Sequence, residues 1–105
     1  MGDDHWFPGR SEGKTHPVLL IHGGGWTSLD ASSMRGVAEW LQAEGFSVLT
    51  PEYRKVQENP WPACLEDCER AAQELQERAG EPITIMGASA GGHLAVMTAL
   101  RMPRE

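Results

Sequence analysis

Residues 83–94 read Ile-Thr-Ile-Met-Gly-Ala-Ser-Ala-Gly-Gly-His-Leu, and this stretch decides the fold. The apolar run at 83–86 predicts a buried strand, and the small residues at 87–92 predict a tight turn. Apolar residues at helical spacing follow and predict a helix that ends before Pro103. A strand that turns directly into a helix is the repeating unit of α/β proteins.

Two more strand and helix pairs precede this unit along the chain. The apolar runs at 18–21 and 46–49 do not alternate with polar residues, which is typical of strands buried on both faces of a parallel sheet. Helices are predicted at 33–44 and 63–79 from their apolar spacing, each followed by glycine. The order β-α-β-α-β-α predicts a three-layer α/β/α fold with a short parallel sheet and right-handed crossovers.

The domain organisation follows from where this pattern begins. Residues 1–16 are polar, rich in glycine and charge, and without periodicity, so they are predicted to be an N-terminal tail or residual segment. Residues 17–105 are predicted to form one domain, which is incomplete by the argument below. Three prolines mark 51–62 as a loop.

The composition excludes several classes of partner. With 9 Lys and Arg against 15 Asp and Glu, the net charge is −6, so binding to nucleic acid or to an anionic membrane is not expected. No apolar run approaches the ~20 residues of a membrane span, and acidic residues follow Met1 where a signal peptide is basic. We therefore expect a cytoplasmic protein.

The two cysteines, Cys64 and Cys68, fall on the apolar stripe of the helix predicted at 63–79. Two ligands alone do not make a structural zinc site, so we expect buried thiols that act as small apolar groups. No metal ion and no organic cofactor are expected.

The segment Gly87-x-Ser89-x-Gly91 lies between a predicted strand and a predicted helix. A serine at such a turn adopts a strained backbone that projects its hydroxyl above the sheet, and the small neighbours let strand and helix pass closely. The free N–H groups at the start of the helix lie where negative charge would develop. A serine that only caps the helix is the alternative interpretation.

A second glycine-rich segment, His22-Gly23-Gly24-Gly25-Trp26, follows the strand predicted at 18–21. Glycines let backbone N–H groups face a ligand atom, as an oxyanion hole requires. Both turns follow the carboxyl ends of strands, where ligands bind to open parallel sheets. Trp26 is a candidate for the acyl pocket, although it is equally consistent with packing.

Four landmarks in this order resemble the α/β-hydrolase fold, in particular the HGGG-carrying branch of esterases, lipases and arylformamidases. They are HGGGW at 22–26, Tyr53-Arg54, NPWPA at 59–63 and GASAGGHLA at 87–95. The resemblance covers roughly residues 17–102 and implies that this chain is the central part of such a fold.

The resemblance implies a role for each of four residues. Ser89 would be the nucleophile, and the backbone N–H groups of Gly23, Gly24 and Ala90 would form the oxyanion hole. The reaction would be hydrolysis through an acyl-enzyme on Ser89. The substrate would be a small or medium carboxylic ester, or an amide such as an aryl formamide, with an apolar acyl side.

The acid and the histidine of such enzymes follow the nucleophile. Only 16 residues follow Ser89, and among them are no Asp, one Glu (Glu105) and one His (His93). We therefore expect an incomplete chain, whose open sheet edges pair with a complementing chain or with a second copy. The alternative is an inactive remnant or an interaction module that pairs through these edges.

Overall fold

Four strands form one mixed sheet with helices on both faces. The computed structural model describes residues 4–9, 16–25 and 30–102. Within these ranges the strands lie in the order β1-β3-β2-β4. In chain order the elements are β1 (His5–Phe7), β2 (His16–Ile21), a 3₁₀ turn (Ala31–Met34), α1 (Arg35–Ala43), β3 (Phe46–Thr50), α2 (Ala63–Ala79), β4 (Thr84–Gly87) and α3 (Ala90–Arg101).

The parallel core of the sheet confirms the predicted α/β class. β2 lies in the middle and pairs in parallel with β3 on one side and with β4 on the other, so Val18 is opposite both Val48 and Thr84. The three strands therefore all point their carboxyl ends toward the same edge of the sheet.

The structure differs from the expected N-terminal tail at His5–Phe7. These residues form β1, which pairs antiparallel with β3 and places Trp6 opposite Leu49. Phe7 packs on the α1 side of the sheet, and the guanidinium group of Arg78 lies 4.8 Å from the Trp6 ring centre. Three residues are too few to show a period, which is why the sequence pattern did not reveal this strand.

The side chains of β2 point alternately into two apolar layers. Leu19 and Ile21 pack with α2 and α3 on one face, whereas Val18 and Leu20 pack with α1 on the other. Because both faces are covered, an uninterrupted apolar run is the sequence that such a central strand requires.

Helix α2 spans the predicted residues and ends at Gly80, whose left-handed backbone (φ 68°) closes the helix. Cys64 and Cys68 are buried in the layer beneath it and form no disulfide. Burial raises the pKa of both thiols, so they act as apolar groups. None of the helices in the described ranges has the length and apolarity that crossing a bilayer needs.

Candidate active site

The two glycine-rich turns emerge side by side at the carboxyl edge of the sheet. β2 ends at Ile21 and β4 ends at Gly87, and these two residues are paired directly. The N–H of Ala88 then donates to the Ile21 carbonyl oxygen at 3.2 Å. The turn that begins at His22 and the turn that contains Ser89 are thus neighbours, as the parallel arrangement predicts.

Ser89 has the strained backbone predicted for it. Its φ of 54° and ψ of −118° make it the one non-glycine residue of the described ranges with a left-handed φ. Such a conformation costs about 1–3 kcal/mol and persists only where the surrounding structure enforces it. A turn residue without a special role would be expected to relax or to be glycine.

The Ser89 side chain does not cap the helix that follows it. Although Ser89 precedes Ala90, the first residue of α3, its hydroxyl makes no capping hydrogen bond. The residue is exposed. The geometry therefore disagrees with the alternative in which this serine is only a helix cap.

Three glycines make the turn sterically possible. A Cβ at Gly87 would overlap the carbonyl of Gly91, and a Cβ at Gly91 would overlap the carbonyl of Ile21. A side chain at either position would push α3 away from the sheet. Gly23 meets the turn from the other side, because a Cβ there would lie 2.6 Å from the Ala88 oxygen and 3.2 Å from the Ser89 Cβ.

The predicted oxyanion residues lie in the turn after β2 and at the start of α3. Gly23 is in direct contact with the serine turn. Gly24 and Gly25 follow with φ values of 117° and 62°, which side chains rarely adopt. Ala90 is the first residue of α3, so its N–H has no acceptor within the helix. Trp26, the candidate pocket residue, lies outside the described residues.

His22 is buried next to the glycine turn and contacts its backbone. Its Nδ1 lies 2.7 Å from the Gly23 carbonyl oxygen. Its ring is stacked on Tyr53, with centres 4.2 Å apart and planes 9° from parallel, and the Tyr53 hydroxyl donates to the His22 carbonyl oxygen at 3.1 Å. The backbone and side chain of His22 are therefore both fixed by partners.

Burial keeps the stacked rings of His22 and Tyr53 uncharged. Burial lowers the pKa of His22, and nearby Lys55 lowers it further. Burial also raises the pKa of Tyr53. Both rings are therefore neutral at pH 7, and the hydrogen bonds that hold the glycine turn are bonds between neutral groups.

The loop that carries Tyr53 is tied to α2 by a buried carboxylate. Asp67 accepts hydrogen bonds from the Arg54 backbone N–H at 2.7 Å and from the Arg54 guanidinium at 3.0 Å, and Arg70 adds a third at 3.2 Å. Burial opposes the ionisation of Asp67, but these bonds outweigh it and lower its pKa. The contacts of Tyr53 and Arg54 thus fix the loop against His22 and α2.

No general base for Ser89 is present among the described residues. The Ser89 hydroxyl makes no side-chain hydrogen bond within these ranges. His93 lies one turn into α3, where its N–H donates to the Ser89 carbonyl oxygen at 3.3 Å and its ring packs against exposed Trp61 at 5.6 Å. Within residues 4–9, 16–25 and 30–102, the serine thus lies beside candidate anion-binding amides, and no side chain there accepts a hydrogen bond from its hydroxyl.

Sequence reasoning missed Glu52. This residue accepts a hydrogen bond from the Ala31 N–H at 2.9 Å and another from Lys55 at 2.9 Å, and it lies 3.7 Å from the His22 ring. A lone glutamate after Pro51 gives no pattern that would have identified it, because two of its partners, Ala31 and His22, are distant in sequence.

Comparison with known proteins identifies a family and relatives for this chain. The BD-FAE family model matches residues 4–105. The versiconal hemiacetal acetate esterase of Aspergillus parasiticus is 35% identical over 97 residues, which are 90% of this chain and 31% of that protein. The acetyl-hydrolase of Streptomyces hygroscopicus is 38% identical over 92 residues, which are 85% of this chain and 30% of that protein.

Among solved structures, the Pyrobaculum calidifontis esterase superposes with a TM-score of 0.80 at 27% identity, covering 92% of this chain and 38% of that one. The chain thus spans about a third of the length of these relatives. The family model covers nearly the whole chain, and the sheet order and the positive φ of Ser89 agree with it. The chain therefore belongs to the BD-FAE family, a carboxylesterase-like group with the α/β-hydrolase fold.

Proposed function

We propose that this chain carries the nucleophile and the oxyanion hole of a carboxylic ester hydrolase. The observation that carries the proposal is the contact between Gly23 and the serine turn, together with the left-handed backbone and the uncapped hydroxyl of Ser89. A serine held in strain beside a glycine turn is the arrangement that acyl transfer needs.

In the proposed reaction, the Ser89 Oγ attacks the ester carbonyl carbon, and the carbonyl electrons move onto its oxygen. The resulting oxyanion is stabilised by the N–H groups of Gly23, Gly24 and Ala90, and the loss of one such donor typically costs about 3–4 kcal/mol of barrier. Collapse of the intermediate expels the alcohol and leaves an acyl-enzyme, which water then hydrolyses.

The Ser89 proton must pass to a base. The four histidines of the sequence (His5, His16, His22 and His93) all lie in the described ranges, and none of them is hydrogen-bonded to the Ser89 hydroxyl there. We therefore propose that the base is a different histidine, supplied by a longer form of the protein or by a second polypeptide. General-base assistance is worth about 10²–10⁴ in rate, so the chain by itself is expected to acylate slowly and to turn over more slowly still.

We propose a short acyl group, with acetate as the first candidate. Two relatives are named as an acetate esterase and an acetyl-hydrolase. The aryl formamides implied by the sequence resemblance are a second substrate class to test beside acetate esters.

A fluorophosphonate probe with mass spectrometry tests the proposal. The folded chain is expected to gain one adduct on Ser89, and the adduct is expected to disappear in Ser89→Ala. Ser33→Ala is the matched control, since Ser33 is an exposed serine bonded only to the backbone of Asp30. A folded chain that stays unlabelled with the probe in large excess would contradict the proposal.

A second candidate function is pairing of two copies through the open edge of β4. In the described part of the chain, β4 pairs only with β2, and Met86 on β4 and Val96 and Leu100 on α3 are exposed. Unpaired strand edges are templates for association. Sedimentation velocity tests this candidate: a monomer at high concentration excludes it, whereas a dimer that Met86→Lys dissociates supports it.

A further inference from the structure

Glu52 connects the two sides of the glycine turn. One carboxylate oxygen, Oε1, accepts the N–H of Ala31 at 2.9 Å. The other oxygen, Oε2, accepts from Lys55 Nζ at 2.9 Å and lies 3.7 Å from His22 Nε2. His22 precedes the glycines and Ala31 comes after Asp30, so a single carboxylate contacts the chain before and after this turn.

The hydrogen bond of the His22 ring identifies its tautomer and the ring nitrogen that faces the Glu52 carboxylate. Nδ1 lies 2.7 Å from the Gly23 carbonyl oxygen, and a carbonyl can only accept, so Nδ1 carries the proton. In the neutral ring Nε2 then bears a lone pair, and this buried atom has no hydrogen-bond partner in the described residues. Lys55 balances the negative charge that would otherwise repel this lone pair.

The hydrogen bond from Nδ1 also orients the peptide that links Gly23 and Gly24. Because a trans peptide directs its C=O and N–H in opposite directions, fixing the Gly23 oxygen toward His22 directs the Gly24 N–H away from it. The position of the His22 ring therefore sets the direction of a candidate oxyanion donor. Tyr53 fixes one face of that ring by stacking, and Glu52 lies at its Nε2 edge.

We propose that Glu52 is a positioning residue of the oxyanion hole. Its carboxylate holds Ala31 and Lys55 and limits the position of the His22 ring, which in turn orients the peptide after Gly23. Glu52 does not touch the substrate. This inference rests on the proposed function only for its catalytic consequence, because the effect on the loop itself is measurable without activity.

Amide hydrogen exchange by NMR measures the structural part. In Glu52→Ala the Ala31 amide is expected to exchange about tenfold faster or more, as for the loss of a hydrogen bond to a charged acceptor, and the amides of Gly23 and Gly24 are expected to shift. Glu52→Gln keeps an oxygen for Ala31 and is expected to protect that amide nearly as well. Unchanged exchange at Ala31 and unchanged glycine signals in Glu52→Ala would overturn the proposal.

The rate of fluorophosphonate labelling at Ser89 measures the catalytic part. Glu52→Ala is expected to slow labelling about tenfold at saturating probe, and Glu52→Gln is expected to recover part of that rate. Glu39→Gln is the matched control, because Glu39 is an exposed glutamate on α1 with an ion pair to Arg35. Labelling as fast in Glu52→Ala as in Glu39→Gln would overturn the positioning role.

The two proposals fail in different ways. If the wild-type chain is not labelled at Ser89, the proposed hydrolase function fails, and the amide exchange still decides whether Glu52 holds the glycine turn. If the wild-type chain is labelled and Glu52→Ala is folded, labelled at the same rate and unchanged at Ala31, only the role of Glu52 fails. Urea unfolding of each variant establishes that it is folded.

Discussion

Gly23 and Ser89 lie in contact across the carboxyl edge of the sheet, with the position of a Gly23 Cβ only 3.2 Å from the Ser89 Cβ. The two residues are far apart in the sequence, and they meet because β2 and β4 are neighbours in the sheet. The space between them is therefore too small for any side chain at position 23.

Substitution of Gly23 by alanine is expected to damage the site more than the fold. The added methyl would lie 2.6 Å from the Ala88 oxygen, so one of the two turns must move. We expect fluorophosphonate labelling of Ser89 to fall by about 10²-fold, the effect of losing one oxyanion donor.

Gly36→Ala is the control for this substitution. A Cβ at Gly36, in α1, has no neighbour within 4 Å, and alanine in a helix is favoured over glycine by about 0.5–1 kcal/mol. Labelling is expected to be unchanged and urea unfolding to shift slightly upward. Equal labelling of both alanine variants would show that Gly23 is not part of the site.

The adjacent glycines of α3 are expected to respond oppositely to the same change. A methyl at Gly91 would overlap the Ile21 carbonyl and lie 2.5 Å from the His22 oxygen, whereas a methyl at Gly92 would lie at an ordinary 3.5 Å from the nearest atom. We expect Gly91→Ala to reduce the free energy of unfolding by about 1–3 kcal/mol or more, as in overpacked cores. Gly92→Ala is expected to be neutral or stabilising, and urea unfolding of the two variants is a direct comparison.

Removal of the Asp67 carboxylate is expected to loosen the loop that carries Tyr53. Asp67→Ala leaves the Arg54 backbone N–H and Nε–H without the carboxylate that accepts from them, so the free energy of unfolding is expected to fall by about 2–3 kcal/mol. Glu66→Ala is the matched control on the same helix, because exposed Glu66 also faces Arg54, at 3.7 Å. Its effect is expected to stay below about 1 kcal/mol, and a larger loss than in Asp67→Ala would contradict this account.

Stability is expected to decline as the pH falls below the ordinary histidine range. Burial lowers the pKa of His22 in the folded chain, so the unfolded chain takes up its proton first, from about pH 6.5 downward. The unfolded state then binds more protons, and linkage requires the free energy of unfolding to fall with pH. Above that range the contribution of His22 is fully present.

Urea unfolding at pH 7.5 and 5.5 measures this loss, and His22→Gln provides the comparison. Glutamine has an amide that can donate to the Gly23 oxygen but does not titrate. The pH-dependent loss is expected to be smaller in His22→Gln than in the wild-type chain. An identical loss in both would assign the pH dependence to other groups.

The sequence pattern was sufficient to predict the parallel strands of the sheet and the contact between the two glycine-rich turns. The uninterrupted run at 18–21 requires burial on both faces, and glycine spacing around Ser89 requires a strand and a helix in close contact. β1 was missed because its residues His5–Phe7 are stabilised by pairing with β3 rather than by any period of their own.

The surroundings of the turns were less accessible to sequence reasoning. Glu52 contacts Ala31 and His22, which come together only once the chain has folded, and no local spacing encodes that proximity. The roles of Gly23, Gly24, Ala90 and Ser89 remain predictions that the labelling experiments test. The boundary of the domain at residue 17 also stays a prediction.

The pairing of Ile21 with Gly87 has a consequence for how such a site can change. A one-residue slip between β2 and β4 would displace one turn from the other by about 3.3 Å, more than an attacking oxygen tolerates. If Ser89 and the glycine amides have the roles proposed for them, the distance between them is determined by the backbone hydrogen bonds between β2 and β4. Substitutions around these two turns can therefore change the surface beside Ser89 while the strand register keeps Gly23 and Ser89 together.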